Sequence, residues 1–206
     1  MVLSLGLGLT SPAAAEVAPG AQLDAGAKAD LQRVEQYFSD LSRLQARFLQ
    51  IASTGEVAEG RVAIHRPGRM RIVYDPPVPV EIIADGLWFI FHDTELDQTS
   101  HLPLNQTPAG VFLDEVVTFD DPDITVTGFQ RGPGSFRVSL VKADDPAAGE
   151  LTLVFSDRPL ALRQWSVLDA QGIETTISLQ NVRFTPPFDQ DLFQFKNPAT
   201  GPRLND

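Results

Sequence analysis

Cysteine is missing from all 206 residues. Disulfides, thiolate metal centres and cysteine nucleophiles are therefore excluded. Covalent attachment of a diacylglycerol to an N-terminal cysteine is excluded too, so the chain carries no lipid of that kind as its own. Positive charge is scarce: 16 Lys and Arg face 27 Asp and Glu, for a net charge of −11. Phosphate backbones and anionic membrane surfaces attract basic stripes, so nucleic acid is excluded as a partner and simple electrostatic adsorption to a membrane is disfavoured. Histidine occurs only three times, as His65, His92 and His101. The group His92, Asp93, Glu95 and His101 fits no standard metal-ligand spacing and reads as a polar loop edge. A G-x-S-x-G elbow is absent, and Gly132-Pro133-Gly134-Ser135 lacks the lysine of a phosphate loop. With no convincing carboxylate pair either, neither catalysis nor a cofactor is expected.

Long apolar runs are lacking as well, and nothing approaches the ~20 residues of a membrane-spanning helix. The longest short run, Val2 to Leu9 followed by Ala13-Ala14-Ala15, reads as a secretion-signal remnant over residues 1–15 with cleavage near Glu16. Residues 16–29 read as a flexible segment, and residues 30–200 as a single domain. A hydrophobic share of 43% is enough for a packed interior and argues against disorder.

The pattern within that domain begins with one helix. Asp30 is a candidate cap, and Leu31, Val34, Phe38 and Leu41 recur at helical spacing. The period then changes to two, with Leu44, Ala46 and Phe48 alternating with Gln45, Arg47 and Leu49. Further alternating runs follow at Arg61–His65, Arg69–Tyr74, Val78–Ala84 and Leu87–His92. The last two flank Asp85-Gly86, a strong hairpin signal. From Asp93 to Glu115 the alternation lapses. This stretch holds Leu102, Phe112 and Leu113, and Thr107-Pro108 can open a short helix. Strands resume around 124–130, 135–142, 150–155, 160–168 and 173–181, and a last short one is expected at Leu192–Phe195. About ten strands in series with hairpin connections predict an antiparallel meander.

Such a meander curls into a barrel or stacks into a sandwich. Its inward residues are apolar: Phe48, Val62, Ile64, Met70, Ile72, Tyr74 and Ile82. A barrel lined by them either keeps a hollow for an apolar guest or is packed solid by the helix; the pattern alone leaves both open. An acyl chain suits such a hollow, at roughly 0.8 kcal/mol per buried methylene.

Several local motifs then agree in order and spacing with one family. Phe48-Leu49-Gln50, Gly60, Arg66-Pro67, Tyr74-Asp75-Pro76, Ala84-Asp85-Gly86 with Leu87-Trp88-Phe89, and Leu192-Phe193-Gln194-Phe195 with Pro198 together resemble the LolA outer-membrane lipoprotein carriers, over about residues 30–200. The resemblance implies a mainly β, α+β fold: an incomplete antiparallel β-barrel of ten to eleven strands, with an N-terminal helix and a short lid over an apolar cavity. It implies a monomeric periplasmic carrier that takes acylated lipoproteins from an inner-membrane ABC transporter to an outer-membrane receptor. Arg66 then corresponds to the arginine that holds the lid through backbone carbonyls, a task suited to a guanidinium with five fixed donors. Trp88, Phe112 and Leu113 join the helix and strand residues above as candidate cavity lining. Met70 departs from the phenylalanine that many members carry there, which keeps the lining apolar but puts a transfer role at that position in doubt. The receptor of the same pathway shares the fold and is lipid-anchored, so the missing cysteine favours the carrier. The alternative is a periplasmic sensor domain on the same half-barrel, which binds lipid or a peptide.

Overall fold

The computed structural model describes residues 23–189 and 191–196. A helix, α1 (Ala25–Asp40), leads into six strands: β1 (Arg43–Ala52), β2 (Val57–His65), β3 (Arg69–Tyr74), β4 (Val80–Asp85), β5 (Trp88–Asp93) and β6 (Gln98–Pro103). A 3-10 turn at Leu104–Gln106 and a short helix, α2 (Pro108–Leu113), follow. Five more strands complete the sheet: β7 (Ile124–Gly132), β8 (Ser135–Lys142), β9 (Gly149–Asp157), β10 (Leu160–Asp169) and β11 (Glu174–Phe184). All pairings are antiparallel, in the order β6-β5-β4-β3-β2-β1-β11-β10-β9-β8-β7. The first strand meets the last at the middle of the sheet, while β6 and β7 lie at its two edges. The sheet therefore curls without closing, and α1 and α2 pack on its inner face.

The helix starts earlier than its apolar stripe suggests. Asp24 caps it, accepting from Ala27 N–H at 2.7 Å. The first turn, Ala25-Gly26-Ala27-Lys28, has no large apolar side chain, so hydrophobic periodicity is blind to it. The segment expected to be flexible is thus helical from Ala25; residues 1–22, with the expected signal remnant, lie outside the described part. Asp30 is not the cap. It is buried, and it accepts from Arg33 at 2.8 Å and from Arg131 of β7 at 2.9 Å. Arg33 and Arg131 also bind Asp157 at the end of β9, at 2.8 and 3.2 Å. These four residues tie α1 to the far half of the sheet.

Strand β6 is the element that the alternation missed. Its residues Gln98-Thr99-Ser100-His101 offer no apolar face, because β6 is an edge strand with little to bury. The expected strand at Leu192–Phe195 is instead a turn-rich strap on the outer face. There Arg71 Nη1 donates to Leu192 O at 2.8 Å, and Phe188 and Phe193 pack on His65. Its apolar residues read as a strand because they are buried, but Phe193 and Phe195 lie against side chains and not in a ladder.

Gly60 pairs with Phe48 across β1 and β2. A methyl there would meet the Phe48 ring at 2.7 Å and the Val73 carbonyl closer still. Gly60→Ala should therefore cost about 1–3 kcal/mol in urea unfolding; wild-type stability would mean that the ring is not seated there. The Asp157 carboxyl is held below its ordinary value of 3.8, first by the hydrogen bond from Arg33 and then by Arg131, against the opposing effect of desolvation. A depressed carboxylate stabilises the fold above its unfolded pKa, and that share is lost as pH falls through the lowered value. Asp157→Asn should flatten the fall of thermal stability below about pH 4; parallel curves for the two proteins would remove Asp157 from the acid response.

Candidate functional site

Antiparallel register sends alternate residues of each strand to one face. On the inner face, β1 contributes Leu44, Ala46 and Phe48, β2 contributes Val62 and Ile64, and β3 contributes Met70 and Ile72; all are buried. Tyr74 and Ile82 share this face and are half-buried. Tyr74 rests edge-on against Phe48 at 5.3 Å and donates its hydroxyl to Gln50 Oε1 at 2.6 Å, which satisfies its polar end. From α1, Leu31, Val34, Phe38 and Leu41 enter the same interior, joined by Phe112 and Leu113 of α2. Fourteen residues were expected to line this interior, and thirteen of them meet there.

Trp88 does not. The register Ala84↔Phe89 and Ile82↔Phe91 puts Phe89 and Phe91 on the inner face and Trp88 on the outer one, where it packs edge-on against His101. Phe89 and Phe91, two residues apart, carry the inner-face alternation of β5 instead. Trp165 belongs to the interior and packs on Phe112 at 5.6 Å.

The cover over the inner face differs between the middle of the sheet and one wing. Over its middle, the space is filled by the helices: Val34 and Leu113 are fully buried, and Phe38 and Phe112 nearly so. On the wing β4–β6 the described residues leave part of the inner face exposed. Phe91 is 41% exposed and Leu102, beside Phe89, 54%. A cleft of about 450 Å³ runs beside α2, between Leu113 and Leu104 on one side and Pro67, Gly68, Gly86 and Leu87 on the other.

Helix α2 is as short as its sequence allows. Thr107 caps it, accepting from Gly110 N–H at 3.3 Å, and Pro108 occupies the first turn, where a missing N–H costs nothing. Its end meets Arg66. That side chain is 8% exposed, and Nη2 donates to the Asp114 carbonyl and, at 3.5 Å, to that of Glu115. Its guanidinium stacks over Phe38 of α1 at 5.3 Å. Burial lowers its pKa from the ordinary arginine value and the Asp114 charge raises it; arginine stays protonated regardless. Its Nε has no partner among the described residues, so one buried donor is left unsatisfied. The backbone adds one further tie, Gly68 N–H to Leu113 O at 2.7 Å.

The histidines hold no metal arrangement among the described residues. His92 bonds Thr99 at 3.1 Å, and His92 and His101 both flank Phe195.

Residues 39–196 match the family model described as outer membrane lipoprotein carrier protein LolA. The chain belongs to the LolA family. An outer-membrane lipoprotein carrier protein of Halorhodospira halophila is 32% identical over 179 residues, covering 82% of each chain. One of the same description from Alkalilimnicola ehrlichii is 29% identical over 82% of this chain and 85% of its own. A LolA superfamily protein of Nitrosomonas europaea aligns in structure over 80% of this chain and 97% of its own, with a TM-score of 0.48 and 9% identity. The open eleven-strand sheet with one long and one short helix is the architecture expected from the resemblance.

Gly68 has φ +75°, and a Cβ there would lie 2.9 Å from the Gly86 Cα. Gly68→Ala should cost about 1 kcal/mol or more. It should also loosen Leu113, seen as a change in Trp165 emission in a Trp88→Phe background. Unchanged emission would show that the Gly68 tie does not position α2.

Proposed function

We propose that the protein is a periplasmic carrier that shelters the acyl chains of lipoproteins between the inner and outer membranes, with α2 as a movable lid. The observation that carries this reading is the fastening of α2. Its two fully apolar anchors, Phe112 and Leu113, lie in the interior, yet the polar contacts at its end come from Arg66 and one backbone bond. Burying two such side chains contributes about 3–6 kcal/mol. An acyl chain of roughly sixteen carbons offers on the order of 12 kcal/mol gross at about 0.8 kcal/mol per methylene. A guest can therefore displace the lid, and the lid can help expel a guest once another surface competes for it. The uncovered wing of Ile82, Phe89, Phe91 and Leu102 continues the interior and supports entry from that side.

Arg66 is the lid-holding residue in this mechanism. It stabilises the closed form by binding carbonyls that follow α2, and its unsatisfied Nε keeps that hold incomplete. Ligand binding shifts the balance toward the open form by the difference in affinity between the two. Phe48, Val62, Ile64, Met70 and Ile72 form the floor against which acyl chains lie. The fitting partners are an inner-membrane ABC transporter that loads cargo and an outer-membrane receptor that accepts it. The protein acts as a monomer, without catalysis or cofactor.

Arg66→Leu destabilises the closed form alone, so lipoprotein should accumulate on the variant in the periplasm and pass on poorly. Native mass spectrometry reads the occupancy, and transfer to outer-membrane vesicles reads the delivery. Wild-type occupancy and transfer would take Arg66 out of the mechanism. Failure of the wild-type protein to bind either a fluorescent fatty acid or a triacylated lipopeptide would end the carrier reading.

A further inference from the structure

The chain leaving α2 is held twice, by two different partners. Arg66 takes the carbonyls of Asp114 and Glu115. Glu35 of α1 then takes the next point: one carboxylate oxygen accepts from Phe119 N–H at 2.8 Å and from the Thr118 hydroxyl at 3.1 Å. Between these holds lie Val116, 69% exposed, and Val117, buried in the interior.

The two holds differ in what stands behind them. Arg66 sits in the turn between β2 and β3, next to the cleft beside α2. Glu35 stands on a helix that is itself anchored. Asp30 and Arg33, on another flank of α1, are locked to Arg131 and Asp157: Arg131 Nε to Asp30 at 2.9 Å, Arg33 Nη1 to Asp157 Oδ1 at 2.8 Å and Arg33 Nη2 to the Asp157 carbonyl at 2.9 Å. Two arginines shared between two carboxylates, one of them buried, form a network in which each charge is met by more than one partner. The buried stripe of α1, from Ala27 to Phe38, adds apolar contact along the length of the helix. Helix α2 has two buried side chains and no ion pair among the described residues.

We propose that Glu35 is the positioning residue on which the lid turns: α1 stays with the sheet as a fixed plug, and α2 with residues 114–117 swings about the Thr118–Phe119 hold. Opening then breaks the Arg66 contacts and keeps the Glu35 contacts. The inference rests on the reading of α2 as the moving cover, and it adds which helix stays and where the motion stops. It also limits the space that opens, because a segment tethered at residue 118 cannot leave the mouth of the sheet.

The test is amide hydrogen exchange on the full-length, cargo-free protein. Bonds to a carboxylate are worth more than neutral ones. Glu35→Ala should raise exchange at residues 108–119 about tenfold, equivalent to about 1.4 kcal/mol, while the amides of residues 30–40 stay protected. Glu35→Gln keeps an oxygen that can accept both bonds, so it should restore most of the protection. A general loss of packing would not be rescued in this way. Arg66→Leu should raise exchange at 108–117 and leave 118–119 protected, because that hold survives opening. Three results would overturn the proposal: unchanged exchange in Glu35→Ala, equal effects of Ala and Gln, or loss of protection in α1 together with α2. If Arg66→Leu loosens 108–117 and Glu35→Ala does not, the hinge falls and the moving lid stands. If neither variant changes 108–117, the lid reading falls with it.

Discussion

An eleven-stranded sheet that curls without closing has an apolar inner face larger than one helix can cover. This constraint shapes the rest of the molecule. Helix α1 covers the middle and is bound by charge and by its full apolar stripe. Helix α2 covers only part of what remains, leaving Phe91 and Leu102 exposed, and is bound by far less. Two helices on one surface are thus fastened by different means, α1 by ion pairs and a long apolar stripe, α2 by two buried side chains and bonds to the carbonyls at its end.

Arg66 illustrates how a buried charge can fasten without locking. A guanidinium removed from water must be compensated, and here the compensation comes from two carbonyls and an aromatic face. None of these is a carboxylate in direct contact, so the hold has no strong ion pair to break. Asp114 acts at longer range, through its charge. Replacing the carbonyls by a carboxylate would give a tighter clasp.

The sheet was legible in the sequence wherever one face of a strand is buried and the other is not. Leu44, Ala46 and Phe48 announce β1, and Met70 and Ile72 announce β3, because burial on one side forces alternation. Strand β6 was invisible for the converse reason: an edge strand at an open mouth has no buried face to show. Helix α2 was legible from Thr107-Pro108 alone, since capping chemistry is local. Trp88 was misplaced because Trp88, Phe89, Ile90 and Phe91 are all apolar, and only the pairing of β5 with β4 decides which of them face inward. Asp30, Arg33, Arg131 and Asp157 could not be joined in advance, because their association spans 101 and 124 residues of chain. Glu35 falls outside the apolar stripe of α1, and only the path of the chain after α2 gives it partners.

The two edges of the sheet have one more consequence. Strands β6 and β7 are consecutive in sequence, and the chain between them carries α2. An unpaired edge invites another strand to add to it, and this pair carries few guards besides the shortness of β6, its terminal Pro103 and the bulge near Gly128 of β7. Among the described residues, the backbone passes from one edge to the other through the segment that carries α2. For the carrier proposed above, an unclosed sheet lets a greasy tail enter sideways, body outside and tail inside, with no threading end-on through a ring.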